Sequence, residues 1–535
     1  MLVPVSPLDV DVAVIGSGFA GSLTALLLRS RGRRVALVER GRHPRFVIGE
    51  STTPLTNLLL EELADDYDLP HLRVFSKWGT WQAHRPDVGV GLKRGFTFLF
   101  HRLGKPFEPT PDRAHELMVA ASPNDRVADT HWYRPDFDLA LVDAARAAGV
   151  EYFDETRIEA VHPEAAGIRL AARRHGRTLD IRAAFVVDAS GPRGFLVNAL
   201  GDGGTAPRWM PPTQALYTHF TDVDLWESVM PPAGQPPYPP DAAALHHIFP
   251  GGWIWILRFN NGITSAGAAL TDPLAAQLGI GNGGAAAWQR LLDLLPSPRE
   301  QFRRSRAVLP FVHAPRVTFR TRTVVGPAWA LLPSAAGVVD PLLSTGFPLT
   351  LLGIGRLVKI LLETPAGPAR DERLTGYAAV TQAELDATEH IVAALYANMA
   401  DPALFRRLTL LYFAAASFSE TVRRLGRPWL APGFLLHTHP TFGPELAACC
   451  DAALQLPVGR ARQVLFDRIA RAIEPFDTAG LLDDRRCGWY PVLASDLIAG
   501  AERLQATREE MDRLLRLLNG DKETDAGRRA PARLT

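Results

Sequence analysis

The chain has 535 residues, 47% hydrophobic and 21% charged, with a formal net charge of +1. That is globular composition with material for a large core and two or more lobes, and a near-neutral balance without a long basic run argues against nucleic-acid or membrane-surface partners. Three cysteines, at 449, 450 and 487, show no metal-binding spacing, which argues against a disulfide framework or a zinc site and suits a reducing cytoplasm.

The chain opens with MLVPVSPLDV and runs into an apolar strand, with no charged n-region or cleavage site, so no secretory signal is expected. Residues 11–15 (DVAVI) read as a short buried strand, 16–21 (GSGFAG) as a tight turn, and 22–31 as a helix with Leu23, Leu26 and Leu27 at helical spacing. Residues 34–39 form the next strand and end in an acid, Glu39. This is a complete βαβ unit for a dinucleotide. Gly16 permits the turn, Gly18 lets a pyrophosphate approach the backbone, and Gly21 lets helix and strand pack. The helix N-terminus offers N–H groups to the diphosphate. Glu39 can accept from an adenosine ribose, and its charge would repel a 2′-phosphate.

Further along, residues 88–100 alternate as a strand. Val88, Val90, Leu92, Arg94, Phe96, Phe98 and Phe100 share one face; Lys93 shares the other with Gly89, Gly91, Gly95 and Thr97. Glycines beside a lysine predict open volume around the ammonium group or a close backbone approach. Residues 185–191 (FVVDASG) read as an apolar strand ending in a turn, and 205–330 as mainly strand, with a proline-rich surface loop at 230–240 and another loop at 279–284. Trp253 and Trp255 lie two residues apart on a strand and so face the same way. The most apolar stretch, 342–352, is broken by Gly346 and Pro348 and is too short for a membrane span. Beyond residue 365 helical spacing dominates, notably at 381–398 and 497–518; the tail at 521–535 is expected to be disordered.

Several of these segments resemble flavin-dependent halogenases, in particular their phenol-type branch, and the related FAD-dependent aromatic monooxygenases. They are HPRF at 43–46, GESTTP at 49–54, RPDFD at 134–138 followed by Leu141, FVVDASG at 185–191, HHIF at 246–249, GWIWILR at 252–258, FNN at 259–261 and VDPLLSTG at 339–346. The resemblance implies an α/β, Rossmann-type FAD-binding fold of the aromatic-hydroxylase/halogenase kind, with an inserted substrate-side sheet and a helical C-terminal region. It divides the chain into an FAD module within 1–365 (about 8–60, 130–200 and 320–365), substrate-side sheet segments at about 70–130 and 205–320, and a helical cap at 366–520.

By the same resemblance, FAD is held by Gly16, Gly18, Gly21, Glu39, Gly49, Glu50, Ser51, Arg134, Asp188, Gly337, Asp340 and Pro341. Halide sits at Ser344, Thr345 and Gly346, Lys93 is the catalytic lysine, and Phe96, Trp253 and Trp255 wall the substrate pocket. No metal is implied. The implied activity is FADH2- and O2-dependent halogenation of an electron-rich, phenolic ring through hypohalous acid relayed to Lys93. The substrate is a small aromatic, free or carrier-tethered, and a separate flavin reductase supplies FADH2, since no second nucleotide fingerprint is present. Three departures stand out. The usual Gly-Asp-Ala-Ala reads LPSAAG at 332–337, the Trp motif ends in Leu257 and Arg258, and Leu343 replaces the Glu of tryptophan halogenases, which argues against free tryptophan. They leave direct FAD-dependent hydroxylation or epoxidation, and a non-catalytic flavoprotein, open as alternatives.

Overall fold

The computed structural model describes residues 7–192, 194–201 and 203–520; the tail at 521–535 lies outside them. Strand Leu8–Ile15 is central in the first sheet. It runs parallel to Val35–Val38 on one side and Arg177–Asp188 on the other. Glu151–Phe153 and Trp329–Leu331 extend the sheet in parallel at the two flanks. Three separated stretches of chain therefore build one nucleotide-binding sheet. Val35–Val38 is buried throughout, as a parallel strand covered on both faces must be. Helix Phe19–Ser30 makes the first crossover and is buried from Phe19 to Leu28.

The second sheet has nine strands. Gly252–Arg258 lies between Ala244–Phe249 and Thr264–Thr271, and Gly95–Phe100 joins beside Ala244–Phe249. Its far edge is Trp489–Tyr490, parallel to Glu116–Ala120. The C-terminal region is therefore not helical throughout: it returns one strand to this sheet. Residues 70–84, expected with the sheet, are instead mainly helical, as Pro70–Arg73 and Trp78–His84; Pro70 occupies the first turn, where its missing N–H costs nothing.

Residues 88–100 are two strands, not one. Val90–Lys93 forms a ribbon with Asp129–Trp132, whereas Gly95–Phe100 belongs to the large sheet. Arg94 is the switch: its N–H donates to the Ala242 carbonyl and its own carbonyl accepts from Ala121 N–H, both at 2.7 Å. The alternation that would hold Lys93 and Phe96 on opposite faces is broken there. The glycines mark close backbone approach, not open volume. A Cβ on Gly91 would lie 2.1 Å from the Arg258 carbonyl oxygen, and one on Gly95 2.2 Å from that of Val119.

Helices Gly346–Glu363, Pro368–Ala397 and Pro402–Arg424 dominate the C-terminal part. Residues 497–518 do not form one helix. Ala494–Ala499 ends, and Thr507 starts Arg508–Asn519 with a reciprocal capping box to Glu510. Residues 279–284 are not a free loop either: left-handed Gly279 ends one helix, and Ile280–Asp293 begins at once with a kink at Gly284. Among the described residues no helix is long and apolar enough to cross a membrane, and no His, Cys, Asp and Glu group is placed to hold a metal.

Candidate active site

The glycine turn is sterically obligatory. Gly16 has φ +96° and a Cβ on it would meet the Ala189 carbonyl oxygen at 2.6 Å; a Cβ on Gly21 would lie 1.8 Å from the Gly16 carbonyl oxygen. Gly18 differs. Its missing Cβ points toward side chains, with Arg134, Arg45 and Asp138 the nearest at 3.5–3.7 Å. The helix beginning there has no side-chain cap and no acid in its first turn. Uncapped amides beside two guanidinium groups are the donors a diphosphate would need.

Arg134 is held rigidly for that task. It makes a bidentate pair with Asp138 at 2.7 and 2.8 Å and donates to the Gly49 carbonyl at 2.7 Å. Arg45, which the sequence reading did not single out, donates to Glu39, and its Nε is buried without a partner among the described residues. Glu39 accepts from the Ser17 and Gly41 amides, both at 2.9 Å. Burial opposes its ionisation, but Arg45 and these amides outweigh it and hold the carboxyl below its ordinary range. These residues fit FAD, and the orphaned Arg45 Nε is a donor with no acceptor among the described residues.

Other residues expected to bind FAD have internal duties. The Asp188 carboxylate accepts from the Ser190 and Leu196 amides and is fully buried; its segment reaches the nucleotide turn through Ala189 instead. Gly337 lies in a short strand against Phe319 and Arg320, and a Cβ on it would press on Leu385 at 3.0 Å. Where the family's acid would stand, helix turn Pro333–Ala336 is seated on Gly353, whose Cβ would come within 2.3 Å of Pro333. Pro341 opens the 3-10 turn Pro341–Leu343.

The GESTTP segment is a connector in which each residue has a separate partner. Gly49 adopts φ +92°. Glu50 pairs with His219 of the large sheet at 3.0 Å, both side chains buried. Thr52 locks to Thr130 through its N–H and hydroxyl. Thr53 caps helix Pro54–Asp66. Ser51 joins the lysine: its hydroxyl accepts from Lys93 Nζ at 2.9 Å and from the Ser344 hydroxyl at 3.1 Å.

Lys93 is fully buried. Besides Ser51 it donates to the Thr52 carbonyl, and its Nζ lies 3.7 Å from the centre of the Phe96 ring. Burial pushes its pKa down, and Asp129 opposes that shift. The ammonium group thus stands between the 344–346 turn and Phe96. Ser344 is left-handed (φ +54°) and is followed by Thr345 at the start of the 18-residue helix Gly346–Glu363, which has no side-chain cap and no acid in its first turn. A Cβ on Gly346 would meet nothing within 4 Å. The start of this helix therefore lacks a side-chain cap, and the Cβ side of Gly346 is open.

Phe96 also lines an apolar cavity of about 110 Å³, the order that holds one aromatic ring. Pro348, Tyr412 and Phe413 form part of its wall, and Glu420 and Arg424 reach it from helix Pro402–Arg424. Ser419 and Thr478 bring buried hydroxyls without a hydrogen-bond partner among the described residues. Trp253 and Trp255 do not line this cavity. They do share a face, with ring centres 5.6 Å apart, but sit buried in the sheet behind Tyr396. Trp253 donates to Tyr396, and Tyr396 to Asp340, so the Asp340 carboxylate is also committed internally. Arg258 explains the altered end of the Trp motif: it ties the strand to Asp241 and to the Val223 and Asp224 carbonyls.

Fold and site define an FAD-dependent oxidoreductase. The FAD dependent oxidoreductase family model matches residues 11–320, and the chain belongs to that family. Monodechloroaminopyrrolnitrin halogenase PrnC of Pseudomonas fluorescens is 28% identical over 401 residues, 73% of this chain and 68% of that protein. Tetracycline 7-halogenase of Kitasatospora aureofaciens is 31% identical over 347 residues, and the alignment spans 63% of this chain and 60% of that relative. The crystal structure of halogenase PltM in complex with phloroglucinol and FAD superposes with a TM-score of 0.80, covering 90% of this chain and 99% of that one; at 24% identity this is a likeness of fold. Within its family the chain is similar to flavin-dependent halogenases.

Proposed function

We propose that this chain is a flavin-dependent halogenase that passes hypohalous acid from the 344–346 turn to Lys93, which delivers the halogen to an electron-rich, phenolic ring in the cavity bounded by Phe96. One observation carries the reading: Lys93 Nζ is bonded to Ser51, which is bonded to Ser344, and the same Nζ rests on Phe96, a wall of the cavity. Bound in the Gly18–Arg134 cradle as FADH2 from a separate reductase, the flavin supplies with O2 the oxidising equivalent for halide. The amides at Thr345 and Gly346 hold the halide. Lys93 either donates a hydrogen bond to hypohalous acid or, as the amine, takes up the halogen, and burial brings the amine form within reach of neutral pH.

The unpartnered Ser419 and Thr478 hydroxyls favour a ring bearing hydroxyl substituents. Two relatives are named for pyrrole-2-carbonyl on a peptidyl carrier protein, so free and carrier-tethered rings both belong in the assay. Protein, FAD, a flavin reductase, NADH and chloride or bromide are incubated with phenol, pyrrole and indole panels. The expected outcome is a halogenated phenol, lost in Lys93→Ala while reduced flavin is still oxidised by O2. Full halogenation by Lys93→Ala removes the lysine from the mechanism, and an oxygenated product formed without halide makes the protein a direct monooxygenase.

A further inference from the structure

We infer that Asp129 is the proton partner of Lys93: a positioning residue that takes the ammonium proton and returns it when the halogen is transferred. The inference rests on the lysine relay proposed above. Lys93 and Asp129 stand directly opposite each other in the ribbon formed by Val90–Lys93 and Asp129–Trp132. Directly opposed side chains leave the same face with Cβ atoms about 4.5–5.5 Å apart, and a Lys and an Asp so placed ordinarily pair. Here the lysine reaches instead to Ser51 and Thr52. The carboxylate keeps one partner, Asn57, whose side-chain amide donates to Oδ1 at 2.7 Å. Oδ2 is buried with no hydrogen-bond partner among the described residues. A buried carboxylate oxygen without a donor is costly, and it lies on the face from which the lysine projects.

The remaining charged and titratable groups around the pair do not replace this role. His131, on the Asp129 strand, and His246, on Ala244–Phe249, are both held neutral, first by burial and then by the lysine's own charge; His246 falls to about 3. From helix Pro402–Arg424, Glu420 and Arg424 act on Asp129 with opposite signs and bond to each other at 2.7 Å. Burial drives the Asp129 carboxyl up and the Lys93 ammonium down, against their mutual attraction, which narrows the cost of moving a proton between them.

The step balances. An N–H bond of the Lys93 ammonium breaks and its proton forms an O–H bond at Asp129 Oδ2, leaving a neutral amine and a carboxylic acid. The amine lone pair then bonds the halogen of hypohalous acid. The O–halogen bond breaks with its electrons on oxygen, and the departing hydroxide leaves as water with one amine proton. The N–halogen bond then breaks as the halogen bonds a ring carbon and the nitrogen takes back the Asp129 proton. That carbon gives up its C–H proton to the Lys93 amine, which restores the aromatic ring, the ammonium group and the carboxylate.

The experiment compares the pH profile of halogenation in wild type, Asp129→Asn and Asp129→Glu, with O2-dependent oxidation of reduced flavin as the control. Without the carboxylate, Lys93 loses the charge that favours its protonation. The acid limb of halogenation should move down by about one unit or more and the plateau rate should fall about tenfold, with flavin oxidation unchanged. Asp129→Glu should restore the limb. An Asp129→Asn profile identical to wild type overturns the inference. A folding defect at position 129 does not block the test. Lys93→Met, read by difference infrared spectroscopy, should keep a carboxylic acid protonated to higher pH than in wild type, and an unchanged carboxyl titration overturns the inference too. Halogenation by Lys93→Ala would instead strike the lysine relay itself, so the two failures are distinguishable.

Discussion

The indole N–H of Trp253 donates to the Tyr396 hydroxyl across 2.9 Å. That hydroxyl donates onward to Asp340 Oδ2 at 2.8 Å, and Asp340 Oδ1 accepts from the Leu342 amide. One buried chain thus links the large sheet, helix Pro368–Ala397 and the turn that leads to Ser344. Tyr396→Phe would strand a donor and an acceptor together. At ~1–3 kcal/mol for each orphaned group, the variant should lose about 2 kcal/mol or more of unfolding free energy. Urea titration checks this as a lower midpoint at unchanged slope.

Asp340 also predicts a pH dependence. Burial pushes its carboxyl up from 3.8 to about 7, opposed by Tyr396, the Leu342 amide and Trp253. The folded state therefore holds a proton that the unfolded chain releases. Its contribution to stability is fully present below about pH 4 and is lost as pH rises through about 7. In Asp340→Asn this loss disappears, so Tm should fall less between these pH values than in wild type. An equal fall in both proteins would refute the assignment.

Gly21→Ala tests the nucleotide turn. The added Cβ would lie 1.8 Å from the Gly16 carbonyl oxygen, a backbone atom that cannot step aside alone. The variant should lose bound flavin on desalting, seen as loss of the visible absorbance. Gly346→Ala, whose Cβ meets nothing within 4 Å, should retain it.

Arg134→Lys tests the clamp. The guanidinium makes three bonds in fixed geometry, two to Asp138 and one to Gly49, and an ammonium group cannot reproduce that fork. FAD affinity should fall about tenfold or more, measured by flavin fluorescence titration, with halide dependence unaltered at saturating FAD.

The nucleotide half of the molecule was legible because its signals are local: the strands at 8–15 and 35–38, the helix and the three glycines lie within one short stretch of chain. Lys93 could be picked out, but its surroundings could not, because the strand changes sheets at Arg94 and periodicity carries no trace of partner exchange. The sequence points to Glu50, Asp188 and Asp340 as cofactor ligands, yet the Asp188 and Asp340 carboxylates are satisfied by nearby amides and Tyr396, and Glu50 bonds His219 through Oε1 while its buried Oε2 has no partner among the described residues. A motif shows that a carboxylate is needed without showing which way it points. Asp129, Asn57 and His219 were missed for the same reason: their partners are 36, 72 and 169 residues away in sequence. Arg45 lay inside the quoted HPRF segment and could have been found as a cation following a strand-terminal acid.

The cavity wall gives a final test in which stability and binding should move in opposite directions. Thr478 is 1% exposed, and its hydroxyl has no hydrogen-bond partner among the described residues. Thr478→Val keeps the shape and removes the orphaned group, which should stabilise the protein by about 1 kcal/mol. If that hydroxyl is kept for a substituent of the ring, the same change leaves the substituent unpaired and should raise KM about fivefold or more, with O2-dependent flavin oxidation unchanged. Ser419→Ala should behave likewise, since its hydroxyl is also buried and has no partner among the described residues. A gain in Tm with no change in KM would mean that the hydroxyl faces no substrate group. A loss in Tm would mean that it has a partner, such as an ordered water, in the free enzyme. Only the combination of higher stability and weaker binding assigns the hydroxyl to the substrate.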